Sequence, residues 1–527
     1  MNSDSPEPEQ LQNYGTEVSV SSQGIVVASM TLLSRISGFF RDIVFSYFFG
    51  ATAVADTFLV ALRIPNFFRR LFAEGAFAQA FVPILTEYKE TRDKELLLGF
   101  IASMFGNLSI VVFTFALVGV AAAPYLVLLF APGFSADPDR LLAATEMVRV
   151  TFPYIAFISL TAFAGSILNT FHRYAIPAVT PVILNLVLIT AAIVAAPLFE
   201  EPAMALAWGV LVAGILQFLF QLPSLRRLEL LVLPRIDWFS PGVKKVGLLL
   251  MPAVFAASVG QINILVGTII ASTLTVGSIS WLYYSDRLME LPIGIIAIAL
   301  GTVLLPNLSR LELSTDSEGF SRTVGWGLHI GTLLGLPTVV ALFFFSEPLV
   351  LTIFFRGQMT LVDVEMTALA LQAFSIGLVP LILVKVVAPA FFAKQDTRTP
   401  FRCAAISVLV NIILSLMLIG SMGHIGIALA TSVAAYVNFF LLGMYLVRNK
   451  TYKPNGEFFK AIVAAVIGSV IMVFVLDWLV PPIQDWISMS EIHRVLWVML
   501  SLFVGTASYL ASIWILGIRP KHFLHTA

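Results

Sequence analysis

From residue 24 to residue 517 the chain alternates long apolar runs with short stretches where charge, Pro and Gly concentrate. A helix needs ~20 residues to cross ~30 Å of hydrocarbon, and the runs have that length. Cut at the polar stretches, the pattern predicts fourteen spanning helices, with approximate limits 24–50, 52–88, 94–131, 139–171, 173–197, 203–229, 241–272, 277–313, 317–345, 361–393, 397–420, 425–448, 456–481 and 492–517. Between residues 345 and 361 the segment "SEPLVLTIFFRGQMT" reads as a short interfacial helix.

The pattern also repeats. Pro83 and Pro306, Pro177 and Pro400, and the "ALA" triplets at 205–207 and 428–430 are each separated by 223 residues. Two lobes of six helices follow, 24–229 and 241–448, in the same orientation and related by a pseudo-two-fold along the membrane normal. The helices of 456–517 lie outside the repeat.

Composition turns this into a class. With 58% hydrophobic and 12% charged residues and a mean hydropathy of +0.93, a soluble globular chain is excluded and an all-α polytopic membrane protein remains. The net charge is zero, which gives no bias toward nucleic acid. Cys403 stands alone, so there is neither an intrachain disulfide nor a cysteine-based metal cluster to expect. Residues 1–23 carry Asp4, Glu7, Glu9 and Glu17 and no Lys or Arg, the wrong sign for a secretory leader. They read as a disordered cytoplasmic leader, and 518–527 as a cytoplasmic tail. Lys89, Arg92, Lys94, Arg173, Arg226, Arg227, Arg235, Lys244 and Lys245 fall on the loops of the terminal side, against Arg140, Arg356 and Arg494 opposite. The positive-inside tendency therefore puts both termini on the cytoplasmic side.

Charge inside the spans supplies the candidate chemistry. The first span, with "SRISGFFRDIVF", holds Arg35, Arg41 and Asp42; the second, with "ADTFLVALRIPNFFRRLFAEGAF", holds Asp56, Arg63, Arg69, Arg70 and Glu74; the eighth, with "YYSDRLMELP", holds Asp286, Arg287 and Glu290. Helical periodicity aligns Arg35 with Asp42, and Asp56 with Arg63 and Arg70. Glu74 and Glu290 can pair with Arg70 and Arg287 along their own helices. One charge at mid-bilayer costs ~2.5–3.5 kcal/mol even on the lenient insertion scale, so lipid-facing positions are disfavoured. Structural pairing and cavity lining weigh equally for Asp56, Glu74 and Arg149; Lys385, near a cytoplasmic end, reads as snorkelling before cavity lining. Arg35, Arg41 and Arg287 read as anion ligands, because arginine stays charged and its fork matches phosphate or carboxylate. Pro65, Pro252 and Pro292 are candidate kinks. The matching stretch of the second lobe, "PAVFAASVGQINILVGTII", is uncharged, so the first lobe supplies most of the cationic surface. The six histidines lie mostly at loops and ends and form no metal-spaced cluster, against an intramembrane enzyme acting on lipid phosphates.

The segments "SRISGFFRD", "DTFLVALRIPNFFRRLFAEGAFAQAFVPIL", "GSILNTFHRYAIPA" and "WLYYSDRLMELPIGIIAIALGTVLLPNLSR" resemble the MurJ (MviN) lipid II flippases of the MOP exporter superfamily. The resemblance covers the first twelve spans closely and the last two loosely. It implies a flippase, without cofactor or resident metal, that carries undecaprenyl-pyrophosphoryl-MurNAc-pentapeptide-GlcNAc from the cytoplasmic to the periplasmic leaflet for peptidoglycan synthesis. The family's cavity arginines fall on Arg35, Arg41, Arg69 and Arg287, with Asp42, Asp56 and Glu74 as acidic neighbours. The last two helices would form a groove for the lipid tail. Transport would be tied to membrane potential or a monovalent cation, in a monomer working among membrane lipids and beside peptidoglycan-synthesis proteins. Some members have a sodium site in the second lobe; span 7 here offers only Ser258, Gln261 and Asn263 as polar groups. An exporter of another polyprenyl-linked glycan or of a soluble anion, in the same fold, is the nearest alternative.

Overall fold

The computed structural model describes residues 20–72, 76–454 and 456–519, so Glu74, most of the leader and most of the tail lie outside the described residues. Among the described residues there is no strand. The first half comprises α1 (Val20–Phe49), α2 (Ala53–Phe72), α3 (Ala76–Thr91), α4 (Lys94–Ala121), α5 (Ala123–Phe130), α6 (Pro138–Thr151), α7 (Tyr154–Thr170), α8 (Ala175–Thr190) and α9 (Pro202–Arg227). The second comprises α10 (Pro241–Ser272), α11 (Ser278–Leu313), α12 (Ser317–Phe344), α13 (Ser346–Phe354), α14 (Leu361–Ile376), α15 (Leu378–Ala393), α16 (Arg398–Met422) and α17 (His424–Arg448). Last come α18 (Gly456–Leu479), α19 (Ile483–Ser488) and α20 (Glu491–Ile515).

Several predicted spans are helix pairs. Pro153 separates α6 from α7 and Gly377 separates α14 from α15. Pro65, Pro252 and Pro292 stand inside α2, α10 and α11, which continue through them. Among the described residues ten helical segments are long and apolar enough to cross a membrane, or eleven with α11, which bends by 42° between Ser278–Ile296 and Ala299–Leu313. The predicted spans outside that set are 24–50, 52–88 and 241–272. The first two carry interior charge, and α10 gives only a shorter, mainly apolar piece over Gln261–Ser272. Outward-facing apolar side chains such as Leu416, Met417, Phe474 and Phe503 are exposed, as befits helices whose solvent is hydrocarbon.

The two halves pair their helices alike. α1 packs on α8, α2 on α6, and α9 on α7 and α8; in the same order α10 packs on α16, α11 on α14, and α17 on α15 and α16. α18 and α20 pack on each other, and α18 docks on α12, where the Tyr509 hydroxyl of α20 donates to the Leu333 carbonyl at 2.6 Å.

One end of the bundle is sealed between the halves. The Gln358 amide donates to the Tyr47 carbonyl at 3.0 Å and the Tyr284 hydroxyl to the Gly50 carbonyl at 2.7 Å. Asp56 accepts from the amides of Gly277 (2.8 Å) and Ser280 (2.9 Å), the Ser280 hydroxyl (2.6 Å) and Arg140 Nη2 (3.0 Å). Gly277 needs to be glycine: its φ is +97°, and an added Cβ would lie 2.6 Å from the Trp281 ring. Gly133 is held as tightly, since a Cβ there would stand 2.0 Å from the Ser272 carbonyl oxygen.

Candidate functional site

Away from that sealed end, a cavity of about 730 Å³ is lined by α1, α2, α3, α7, α8, α9 and α11. Its ionisable wall holds Arg35, Arg41, Arg69, Arg70 and Arg287 against Asp42 and Glu290, five cations to two anions among the described residues. Such a surplus suits an anionic group that can take several forked donors at once.

Asp42, 1% exposed, is the hub. Its Oδ1 accepts from Arg41 Nη2 at 2.6 Å, Arg41 Nε at 3.0 Å and the Tyr283 hydroxyl at 2.7 Å. Its Oδ2 lies 3.3 Å from Arg287 Nε. Arg287 also donates to Glu290 at 2.9 Å and lies with its Cζ 5.0 Å from the centre of the Tyr283 ring. Arg41 Nη1 reaches the Asn185 side-chain oxygen of α8 at 3.1 Å, and Asn185 returns to the Ser37 hydroxyl at 2.9 Å. A carboxylate shared by two guanidiniums from α1 and α11 thus sits where the halves meet. Burial of these charges is sustained only because each is hydrogen-bonded as well as paired.

Arg35, exposed, has neither a hydrogen bond nor an ion pair among the described residues. Asp42 therefore neutralises Arg41 and not Arg35, although helical spacing aligns Arg35 with Asp42. Gly294 of α11 backs Arg35 so closely that a Cβ there would lie 2.2 Å from Arg35 Nη1. Gly294→Val is accordingly expected to displace the guanidinium and lower the transport rate, by roughly tenfold if one charge-assisted contact is lost. Initial rates in vesicles check it; an unchanged rate with the side chain in place would remove Arg35 from the site. Arg69 Nε donates to Asn66 at 3.0 Å, and Arg70 is exposed at the end of α2.

Four expected groups stand off this wall. Asp56 belongs to the sealed end, where Arg140, expected on a loop, is its ion-pair partner. Arg63 Nη1 donates to Thr268 of α10 at 3.0 Å, joining the halves below the cavity lining. Asp286 lies within electrostatic reach of Arg63, Arg70, Arg287 and Glu290 without lining the cavity. Lys385 is exposed on α15 and outside the lining, as a snorkelling side chain would be. The residues the charge pattern missed are neutral: Tyr283, Asn185, Tyr154, Gln217 and Gln221.

In the second half, Asn263 accepts from Asn411, whose own side-chain oxygen takes the hydroxyls of Ser415 (3.4 Å) and Thr431 (3.5 Å). This cluster is neutral: it holds no carboxylate among these residues.

Solved structures share the architecture. A multidrug MATE transporter of the MOP superfamily in an inward-facing conformation superimposes with a TM-score of 0.65 over 82% of this chain and 99% of its own, at 14% identity. Fold and cavity together define a multi-pass helical membrane protein with a cationic chamber between its halves. Within that class the profile "Lipid II flippase MurJ" matches residues 45–497, and the chain belongs to the MurJ family. It is 40% identical to a probable lipid II flippase MurJ of Vibrio cholerae, across 96% of this chain and 98% of the relative. With the lipid II flippase MurJ of Burkholderia cenocepacia it shares 38% identity, over 95% of this chain and 98% of the relative. A lipid II flippase MurJ solved in an inward closed conformation has a TM-score of 0.79 and 28% identity, covering 93% of this chain and 98% of that one.

Proposed function

We propose that this chain is a lipid II flippase, a transporter and not an enzyme, serving peptidoglycan synthesis. The observation that carries the reading is the cavity: five arginines, two of them keyed to one buried carboxylate, in a chain of the MurJ family. A pyrophosphate joined to a bulky hydrophilic head and a very long apolar tail needs a wet cationic chamber that opens sideways to lipid. Arg35 and Arg70 offer uncommitted donors, and Arg41 and Arg287 can turn theirs from Asp42 to the incoming anion. The pyrophosphate would enter from the cytoplasmic side and leave toward the periplasm, after the sealed end opens and the cavity mouth closes. In this reading fourteen spans form two six-helix lobes plus α18 and α20, with the lipid tail lying along those last helices and both termini cytoplasmic in the inner membrane. The like pairing of helices in the two halves supports the two-lobe part. The membrane potential acts on the cavity's positive charge and needs no bound cofactor. The protein works as a monomer.

Purified chain in vesicles containing fluorescent lipid II tests this. Transfer of lipid II between leaflets is expected, at a rate well above that for a neutral polyprenyl-linked glycan. Equal rates for both, or transfer no faster than in protein-free vesicles, would end the reading.

A further inference from the structure

The cavity has a second, uncharged wall that the pyrophosphate chemistry leaves unused. Gln217 and Gln221 of α9 both line the cavity and are 2% and 1% exposed. Gln217 Nε2 donates to the Thr180 carbonyl at 3.1 Å and Gln221 Nε2 to the Thr180 hydroxyl at 3.3 Å. These orientations are fixed by donor and acceptor accounting. A carbonyl takes only a donor, and the Thr180 hydroxyl has already given its hydrogen to the Ile176 carbonyl at 2.9 Å. The amide nitrogens therefore face Thr180, and each side-chain oxygen is left buried without a partner. Two adjacent buried acceptors without donors are costly to maintain in a protein that does not use them.

We propose that Gln217 and Gln221 form a specificity subsite that accepts N–H and O–H groups of the neutral part of the head group, the sugar and peptide, while the arginine wall holds the pyrophosphate. Asn169, Ser166 and Thr161 of α7 line the same cavity and extend its polar, uncharged surface. Gly165 stands beside this acceptor: a Cβ there would reach van der Waals contact with Gln221 Oε1 at 3.6 Å, covering its approach, and a slight shift would relieve the tighter 3.3 Å contact with the Pro177 Cβ. A pair of acceptors selects ligands that present donors and gains nothing from a bare phosphate, which at neutral pH presents mainly acceptors.

The inference rests on the lipid II reading, and two probes separate the two. Binding of lipid II and of undecaprenyl pyrophosphate, which lacks the sugar and peptide, is measured on the purified full chain. Gln217→Met and Gln221→Met together are expected to weaken lipid II binding by about tenfold and leave undecaprenyl pyrophosphate within about twofold of its original affinity. Arg287→Ala weakens both. Because methionine could disturb the α8–α9 contact, Gly165→Ala is the second variant; it leaves both glutamines in place and is expected to weaken lipid II selectively as well. Equal weakening of both ligands, or unchanged lipid II binding in all variants, overturns the subsite. If the unaltered chain binds neither ligand, it is the flippase reading that falls.

Discussion

Arg287→Ala is expected to abolish lipid II flipping while the protein still inserts into the membrane. Arg287 is one of the two cations keyed to Asp42, lies over Tyr283 and lines the cavity. Its removal takes away a forked donor and leaves Arg41 as the sole cation on Asp42. A hydrogen bond to a charged group contributes roughly 1.5–3 kcal/mol, so losing two from the bound anion lowers the rate by roughly 100-fold or more. Arg41→Ala should do the same, with the further loss of the Asn185 contact that ties α1 to α8. Arg287→Lys keeps the charge and loses the fork; a rate intermediate between the two is expected. Initial rates in vesicles at matched protein levels decide it. Transport by Arg287→Ala at the unaltered rate would leave the arginine wall without a role.

Asp56→Ala is expected to have a comparably large effect by a different route. Four donors converge on this carboxylate, and its removal leaves the guanidinium of Arg140 buried beside Phe134 without its counter-ion. Breaking such a buried pair costs about 3–5 kcal/mol. Because the pair holds the sealed end, the cost falls on the closed form and shifts the population toward opening there. A single cysteine reports this. Cys403 is the chain's lone cysteine, so Cys403→Ser with Ala51→Cys places one thiol within the seal, where Ala51 is 6% exposed. Labelling by an impermeant maleimide from the sealed side should rise by about 100-fold or more, up to complete reaction, on adding Asp56→Ala. Continued protection of that thiol, with transport intact, would show that the seal does not depend on Asp56.

Much of this organisation is legible in the pattern of apolar runs and interior charges. Arg35, Arg41, Arg69, Arg70 and Arg287 stand out because a cation in an apolar run has few physical excuses, and all five line one cavity. Asp56 and Arg140 are legible as charges but not as a pair: they are 84 positions apart, and Arg140 follows Asp137 and Pro138 in what reads as a loop. The neutral wall is the least visible, since Gln217 and Gln221 are ordinary polar residues until the donors around Thr180 are accounted for. The helix break at Gly377 is hidden by continuous hydrophobicity on both sides, whereas "SEPLVLTIFF" announces the start of α13 by its charge and proline.

The shared carboxylate at Asp42 also bears on how the cargo departs. An arginine cage with no internal anion would hold a pyrophosphate so firmly that release would limit every cycle. Asp42 is a resident competitor fixed at 2.6 Å from Arg41 and 3.3 Å from Arg287, ready to reclaim both guanidiniums as the cargo loosens. Capture is weakened by the same amount that discharge is eased. Asp42→Asn should therefore bind cargo more tightly and turn over more slowly, the mark of a site tuned for throughput rather than retention.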